Sequence, residues 1–235
     1  MNDITILSGA GLSAESGLKT FRDNNGLWEN YDVMEVCSVG GFIKDRNKVL
    51  DFYDLRRKDI EDKTPNESHF MQAKLKKEYS DRISIITQNV DDLLEKAGCD
   101  DVIHLHGKLR ELRCEKCGNI FDIGYSSIRD YPNCPHCNSS KLRHNVVMFG
   151  EEAPFYRELY YQLSITKLLV VIGTSGNVLP VDSFANSVDF SILNNLERSE
   201  MIRERSFTKC FYGNATQYAN KIYELVEDYI KYRVI

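Results

Sequence analysis

Four cysteines of the 235-residue chain have the spacing C-x2-C-x16-C-x2-C, and four thiolates at that spacing can bind one metal ion. They are Cys114, Cys117, Cys134 and Cys137. Four sulfur ligands close a tetrahedral shell around zinc and leave no position for water. The spacing therefore predicts a structural zinc ribbon. The alternative, a pair of redox dithiols, is disfavoured because neither pair lies between a strand and a helix.

Polar residues able to act on a substrate precede the cysteines. The stretch VIHLHG places His104 and His106 two residues apart, so on one strand they would share a face, and a metal pair is conceivable. Upstream, TQNVD ends at Asp91 and follows the apolar run ISII. Its side chains either cap the next helix or contact a ligand, because parallel sheets bind ligands at the carboxyl ends of their strands.

A third motif opens the chain. Gly9, Gly11 and Ala14 follow an apolar run with the G-x-G-x-x-G/A spacing, which lets backbone approach a pyrophosphate at the N-terminus of the next helix. A glycine-rich turn without a ligand has the same spacing. The acidic residue that a dehydrogenase carries about twenty residues later, after a second strand, is missing, since that region reads NNGLWENYD.

The elements that must position these motifs alternate between strand and helix. Strand-like runs include DITILSG, RISIITQN, DVIHLHG, HNVVMFG, KLLVVIGTS, DFSILNNLE and FTKCFYG. Helix-like segments between them include NESHFMQAKLKKEY, DDLLEKAG and FYRELYYQLSITK, and TQYANKIYELVEDYIKY follows the last run. This alternation predicts an α/β fold with a buried parallel sheet.

Two stretches interrupt the alternation and predict a second, small lobe. We expect one domain over residues 1–235, with a large Rossmann-like lobe formed by 1–28, 81–107 and 146–235. The small lobe comprises a helical insertion, 29–80, and the zinc ribbon, 108–145.

Composition narrows the class of protein. A hydrophobic fraction of 42% and a charged fraction of 28% are ordinary for a soluble globular chain. The net charge of -5 and the absence of a basic run argue against a nucleic-acid partner. No apolar stretch is long enough to span a membrane, and the first residues lack a secretion signal. The cysteine spacing, which favours metal over disulfides, then predicts a cytoplasmic protein.

The opening motif extends well beyond its glycines. The stretch GAGLSAESGLKTFRDNNGLW resembles the cofactor-binding loop of the sirtuins, the NAD-dependent protein deacylases. The family pattern G-A-G-x-S-x-x-S-G-I-x-x-F-R is matched with Leu18 in place of isoleucine. TQNVD, the histidine, the four cysteines and NVVMFGE follow in the family's order, so the resemblance runs from Ile4 to about Ala215.

The resemblance implies a cofactor site in which NAD is consumed. Phe21 would cover the reacting ribose, and Arg22 would lie near the phosphates. Asp91 would hold the nicotinamide amide. His106 would be the general base, and His104 would have a structural role. Asn89 would contact the ribose and order a water with Gln88. The implied NAD contacts are Gly9, Ala10, Gly11, Ser13, Glu15, Phe21, Arg22, Trp28, Gln88, Asn89, Val90, Asp91, Gly173, Thr174, Ser175, Asn195, Leu196, Glu197 and Ala215.

The resemblance also implies an acylated-lysine substrate. The peptide backbone would pair with Val147, Met148, Phe149 and Gly150 as an added strand, although His144 stands where relatives have proline. FYDLRR spaces Tyr53 and Arg56 three apart, which by itself describes an amphipathic helix with solvated arginines. It also resembles the Y-x-x-R pair of sirtuins that accept succinyl- or malonyl-lysine, with acetyl-lysine also accepted.

The reaction implied transfers an acyl group from lysine to ADP-ribose. The acyl oxygen would displace nicotinamide, and His106 would then activate a ribose hydroxyl. One alternative is a mono-ADP-ribosyltransferase or NAD-cleaving effector, and His106 together with the peptide strand argues against it. A non-catalytic ADP-ribose-binding regulator is another, which would not need Asn89, Asp91 and His106. The sequence does not specify the oligomeric state.

Overall fold

The computed structural model describes residues 2–19, the backbone of residues 27–28, and residues 31–235. The predicted contacts Phe21 and Arg22, and the side chain of Trp28, lie outside the described residues. The strands are β1 Ile4–Ser8, β2 Leu27–Trp28, β3 Tyr31–Asp32, β4 Ile83–Thr87, β5 Ile103–His104, β6 Gly107–Cys114, β7 Ile120–Asp122, β8 Leu142–Val146, β9 Leu168–Ile172, β10 Phe190–Asn195 and β11 Lys209–Tyr212. The α-helices are α1 Val33–Val36, α2 Val39–Lys44, α3 Arg46–Glu61, α4 Glu67–Glu78, α5 Leu93–Lys96, α6 Tyr156–Ile165, α7 Val181–Ala185 and α8 Ala215–Tyr232.

A six-stranded sheet with the order β11-β10-β9-β1-β4-β5 forms the centre of the large lobe. All of its pairings are parallel, and β1, β4 and β9 are buried at every residue. Helices α4 and α8 contribute to the apolar cluster on one face, and α6 and α7 contribute to that on the other. This Rossmann-like arrangement confirms the predicted α/β class.

The chain reverses its direction of travel across the sheet at β1, which lies between β4 and β9. In such sheets the loops leaving the two strands at the reversal diverge to opposite faces and leave a crevice at the carboxyl ends. The glycine motif follows β1 directly, and Gly173 follows β9. The order of the strands therefore places both loops at this crevice.

The small lobe contains an antiparallel sheet with the order β7-β6-β8. Its apolar face packs with helices α1 to α3 in one cluster, which includes Phe52 of α3, Leu112 of β6 and Leu142 of β8. Cys114 and Cys134 belong to the same cluster. The separate small sheet and its cysteines agree with the predicted zinc ribbon and helical insertion.

Helix α4 packs in a different lobe from the one to which the sequence assigned it. It lies in the range 29–80 assigned to the small lobe, yet Met71, Ala73 and Leu75 pack in the cluster of the parallel sheet, together with α8. A helix that buries its apolar face on the large sheet belongs to that lobe. We therefore propose that the helical part of the small lobe ends with α3.

Two local predictions are corrected. The glycine motif is followed by 3-10 turns at Ala10–Leu12 and Ala14–Ser16, not by the α-helix that a dinucleotide fingerprint has at this point. The run HNVVMFG does not join the parallel sheet, because β8 ends at Val146 and pairs with β6. Within the described residues no helix has the length and apolar character needed to cross a bilayer.

Candidate active site

A cleft of about 840 Å³ lies between the carboxyl edge of the parallel sheet and the small lobe. Residues that follow or end β1, β4, β9, β10 and β11 line it, together with His106, two residues after β5. The predicted NAD contacts that line the cleft are Gly9, Ala10, Gly11, Ser13, Glu15, Gln88, Asn89, Val90, Asp91, Gly173, Thr174, Ser175, Asn195, Leu196, Glu197 and Ala215. The cleft thus contains every predicted NAD contact whose side chain the structure describes.

The glycines of the first motif are required by contact between two loops. The N–H of Gly11 donates to the carbonyl of Gly173 at 2.8 Å. A methyl group on Gly11 would lie 2.7 Å from the Cα of Gly173. A methyl group on Gly9 would lie 2.8 Å from the carbonyl oxygen of Gly173. Gly173 itself has φ +67, which favours glycine. The loops after β1 and β9 are therefore in direct backbone contact, and together they line one side of the cleft.

Ser13 is the centre of a buried polar network. Its hydroxyl donates to Oδ2 of Asp91 at 3.0 Å and accepts from the amide of Asn89 at 3.1 Å. His69 Nε2 lies 3.4 Å from the same hydroxyl, while Nδ1 accepts from the N–H of Asn66 at 3.2 Å. The N–H of Leu93 donates to the second oxygen of Asp91. The network fixes the predicted Asn89 and Asp91 side chains at the floor of the cleft.

Burial also alters the charge of this network. It raises the pKa of Asp91, against the opposing hydrogen bonds from Leu93 and Ser13. It lowers the pKa of His69 to about 4, so that imidazole is neutral at physiological pH. Because Nδ1 of His69 accepts a hydrogen bond, Nε2 bears the proton and donates toward Ser13.

His106 has one ring nitrogen anchored and the other directed to the cleft. Nδ1 lies 2.9 Å from the carbonyl of Gln88, which can only accept, so Nδ1 bears the proton and Nε2 has the lone pair. Burial lowers the pKa of His106, although the Gln88 carbonyl opposes the shift. A neutral imidazole with its lone pair in a cleft has the protonation state that a general base requires.

Side-chain hydrogen bonds connect the loops at the end of the cleft near β10 and β11. Asn195 accepts from the N–H of Thr174 at 3.0 Å and donates to its carbonyl at 2.9 Å, so its amide shapes the loop after β9. Glu15 accepts from the N–H and the hydroxyl of Thr216 at the start of α8. Gln88 donates to the hydroxyl of Thr174 at 3.1 Å. The three contacts connect the loops that line this end of the cleft.

The small lobe contributes a polar pair to the same cleft. Tyr53 and Arg56 of α3 both line it. The Tyr53 side chain is buried, hydrogen-bonded to the thiol of Cys37 and packed on the ring of His144, with centroids 5.5 Å apart. A guanidinium nitrogen of Arg56 lies 3.7 Å from Oδ2 of Asp59. The neighbouring Arg57 is fully buried and bonds to Asp54 and to the Leu109 carbonyl, so it supports the lobe instead.

The predicted peptide-pairing segment forms the remaining edge of the cleft, where Val147, Met148, Phe149 and Gly150 all line it. The N–H groups of Val147 and Phe149 donate inward to the carbonyls of His106 and Cys37, at 2.9 and 2.8 Å. The carbonyl of Val147 and the N–H of Gly150 have no hydrogen-bond partner in the described part of the chain. Such groups are what an added strand pairs with.

Comparisons with known proteins agree with this geometry. The Sir2 family model matches residues 9–180. The NAD-dependent protein deacylase of Campylobacter jejuni is 54% identical over 98% of both chains, and that of Helicobacter hepaticus is 43% identical over 97% of this chain and 99% of its own. A solved Sir2 homologue–NAD complex has a TM-score of 0.83 at 34% identity, covering 96% of this chain and 89% of its own. The chain belongs to the Sir2 family.

Sirtuins consume NAD, and the cleft of this sirtuin fits that co-substrate chemically. The small residues of the two contacting loops line the cleft and allow backbone to approach a pyrophosphate, and the buried Asp91 and Asn89 side chains in the same cleft both bond to Ser13. The resemblance that the first motif showed to this family is therefore confirmed.

The four cysteines of the sirtuin ribbon suit a structural zinc ion. Their sulfur atoms all lie within 4.8 Å of one another, with the Cys114–Cys137 pair 3.6 Å and the Cys117–Cys134 pair 3.8 Å apart. Four sulfurs bound to one zinc at about 2.3 Å are about 3.8 Å apart. Gly118 and Asn138 adopt positive φ after each pair and close the tight turns.

No second candidate metal cluster occurs among the residues that the structure describes. His104 is buried and lies 2.8 Å from Glu95 and 2.9 Å from the carbonyl of Asn89, so it has a structural environment distinct from that of His106. The metal pair that these two histidines could have formed is absent from this part of the chain.

The sequence did not predict the contacts of three side chains near the sirtuin cleft. His69 lies within PNESH and was not identified as a contact of Ser13. Tyr156 contacts His106 and lies in a segment that indicates only a helix. His144, which replaces proline, is fully buried, bonds to Asp54 at 3.0 Å and supports the Tyr53 ring. Their contacts lie at least 50 residues apart in sequence, and no local pattern marks them.

Proposed function

We propose that this sirtuin is an NAD-dependent protein-lysine deacylase that removes succinyl and malonyl groups and also accepts acetyl-lysine. The observation that supports it most is one continuous cleft that is lined by the oriented imidazole of His106 and by the Tyr53–Arg56 pair. A base alone would suit several NAD-consuming reactions. A guanidinium and a phenol in the same cleft suit an acyl group that ends in a carboxylate.

The peptide would be positioned by the segment 147–150. The Val147 carbonyl and the Gly150 N–H would pair with the backbone of the substrate as an added strand. The modified lysine would then enter the cleft between Phe149 and the small lobe. This pairing would contact the backbone of the peptide and not its side chains. It would therefore suit an enzyme that acts on many protein sequences.

The remaining residues would divide the chemistry among them. Asp91 and Asn89, held by Ser13, would bind the nicotinamide amide and the sugar. His106 would accept a proton from a ribose hydroxyl at Nε2, with its ring held by the Gln88 carbonyl through Nδ1. One water would be consumed, and the products would be nicotinamide, the free lysine and O-acyl-ADP-ribose.

The test is to incubate the protein with NAD and matched acetyl-, succinyl- and malonyl-lysine peptides and to weigh the products. Free lysine peptide together with acyl-ADP-ribose is expected from all three, with the charged acyl groups removed fastest. ADP-ribose covalently attached to protein, with the acyl-lysine unchanged, would instead identify an ADP-ribosyltransferase. Absence of nicotinamide release would sink the enzymatic proposal.

Replacing Arg56 by methionine is expected to lower kcat/KM for desuccinylation by about 10- to 100-fold. The physical reason is the loss of a hydrogen bond to a charged group, worth about 1.5–3 kcal/mol. Deacetylation should change by less than about threefold, because an acetyl group offers no carboxylate. Steady-state kinetics on the two peptides measure the difference.

Lys58→Met is the matched control, since Lys58 lies on the same helix but is exposed and pairs with Glu61. It should leave both activities unchanged. Equal losses on the succinyl and acetyl peptides in Arg56→Met would show that Arg56 does not recognise the acyl carboxylate.

A further inference from the structure

Among the described residues, the hydroxyl of Tyr156 is the hydrogen-bond partner of Nε2 of His106. Its hydroxyl oxygen lies 3.3 Å from that nitrogen, and the two ring centroids are 6.2 Å apart. Because Nδ1 is bound to the Gln88 carbonyl, Nε2 accepts and the phenol donates. The contact is therefore made to the nitrogen that takes the proton in the proposed reaction.

The position of Tyr156 is set by the surrounding fold. It is the first residue of α6, its N–H donates to the carbonyl of Ala153, and its half-buried ring packs against the cluster that contains Leu105 and Leu159. The residue also lines the cleft. Burial raises the pKa of its hydroxyl, so it stays protonated at physiological pH.

We propose that Tyr156 is a positioning residue for His106, an inference that rests on the proposed function. In the resting state the phenol donates to Nε2 and holds the imidazole toward the cleft. When the co-substrate binds, the phenol rotates and a sugar hydroxyl replaces it as the donor to Nε2. After the proton has moved to Nε2, the phenol oxygen accepts from the new N–H.

Tyr156 itself gains and loses no proton in this step. The imidazolium keeps the proton until it is passed to the departing amine. A hydrogen bond from a charged donor is stronger than a neutral one, so the contact strengthens as the imidazolium forms. Among the residues that the structure describes, Nδ1 of His106 meets a backbone carbonyl and not the carboxylate that supports the imidazolium in a catalytic triad. The phenol would supply part of that missing support.

The test compares two reactions of Tyr156→Phe, which keeps the ring and removes the hydroxyl. Deacylation depends on the base, whereas exchange of labelled nicotinamide into NAD, measured with an acyl-peptide present, reports the earlier bond cleavage that does not use it. We expect kcat for deacylation to fall about tenfold and exchange to stay within about twofold. Tyr160→Phe and Tyr161→Phe, exposed on the same helix, are controls that should change neither.

A second measurement does not depend on activity. In protein labelled with ¹⁵N-histidine, the Nε2 resonance of His106 should shift in Tyr156→Phe and remain in place in Tyr160→Phe. Equal losses of deacylation and exchange, unchanged deacylation, or an unmoved resonance would each overturn the role of Tyr156. Wild-type protein that removes no acyl group would instead refute the proposed function, which separates the two failures.

Discussion

Alanine in place of His106 is expected to lower the rate of deacylation by about 100- to 10,000-fold, the range that a general base contributes. NAD should still bind, because Gly11, Ser13 and Asp91 are fixed by contacts that do not include the imidazole. Product masses measured over time with an acyl-peptide give the rate. Isothermal titration with NAD gives the affinity.

The control for this variant is His136→Ala, since His136 is exposed and lies outside the metal cluster. It should retain full activity. Near-normal turnover by His106→Ala would remove the base from the proposed mechanism. A loss of NAD binding in proportion to activity would indicate that His106 supports the site instead of acting in the chemical step.

Removal of zinc is expected to unfold the small lobe and abolish activity together. Cys114 and Cys134 are buried in the same apolar cluster as Leu112, so releasing the metal leaves two thiols without their metal ligand bond in the lobe's core. A structural zinc site supplies about 10–16 kcal/mol of apparent binding energy at neutral pH. Chelation should therefore lower the thermal midpoint and the deacylation rate in parallel, and added Zn²⁺ should restore both.

Metal analysis is expected to find one zinc ion per chain. Cys117→Ser should reproduce the effect of the chelator, whereas Cys210→Ser, outside the cluster, should leave zinc content and activity intact. A chain that lacks zinc yet remains folded and active would contradict the structural role of the metal.

The sequence predicts the cleft well because its residues follow strands. Parallel strands bring their carboxyl ends to one edge, so Gly9, Asn89 and Gly173 converge although they lie far apart in the chain. The spacing of Tyr53 does not distinguish Arg56 from Arg57, since both lie within one helical turn of it; the family resemblance selected Arg56, which lines the cleft, whereas the fold buries Arg57. The cysteine spacing predicts the metal cluster by itself.

Other features depend on tertiary contacts that no local pattern encodes. The helix expected after Gly11 is replaced by 3-10 turns, because this loop packs against Gly173 and is tied to α8 through Glu15. The sequence pattern assigns helix α4 to the helical insertion, yet its apolar side chains pack in the cluster of the parallel sheet. Tyr156 appears in sequence as an ordinary helix residue, and its significance comes from the position of His106.

The hydrogen bond from the Val147 N–H to the His106 carbonyl has a consequence for substrate selection. It joins the backbone proposed to receive the peptide directly to the backbone of the proposed base. Gly107 permits the close approach of the two segments, since a Cβ there would lie 1.9 Å from the Asn145 carbonyl oxygen. Peptides that pair imperfectly along 147–150 would shift the imidazole as well. Discrimination among protein targets would then be expressed in the speed of catalysis more than in the strength of association.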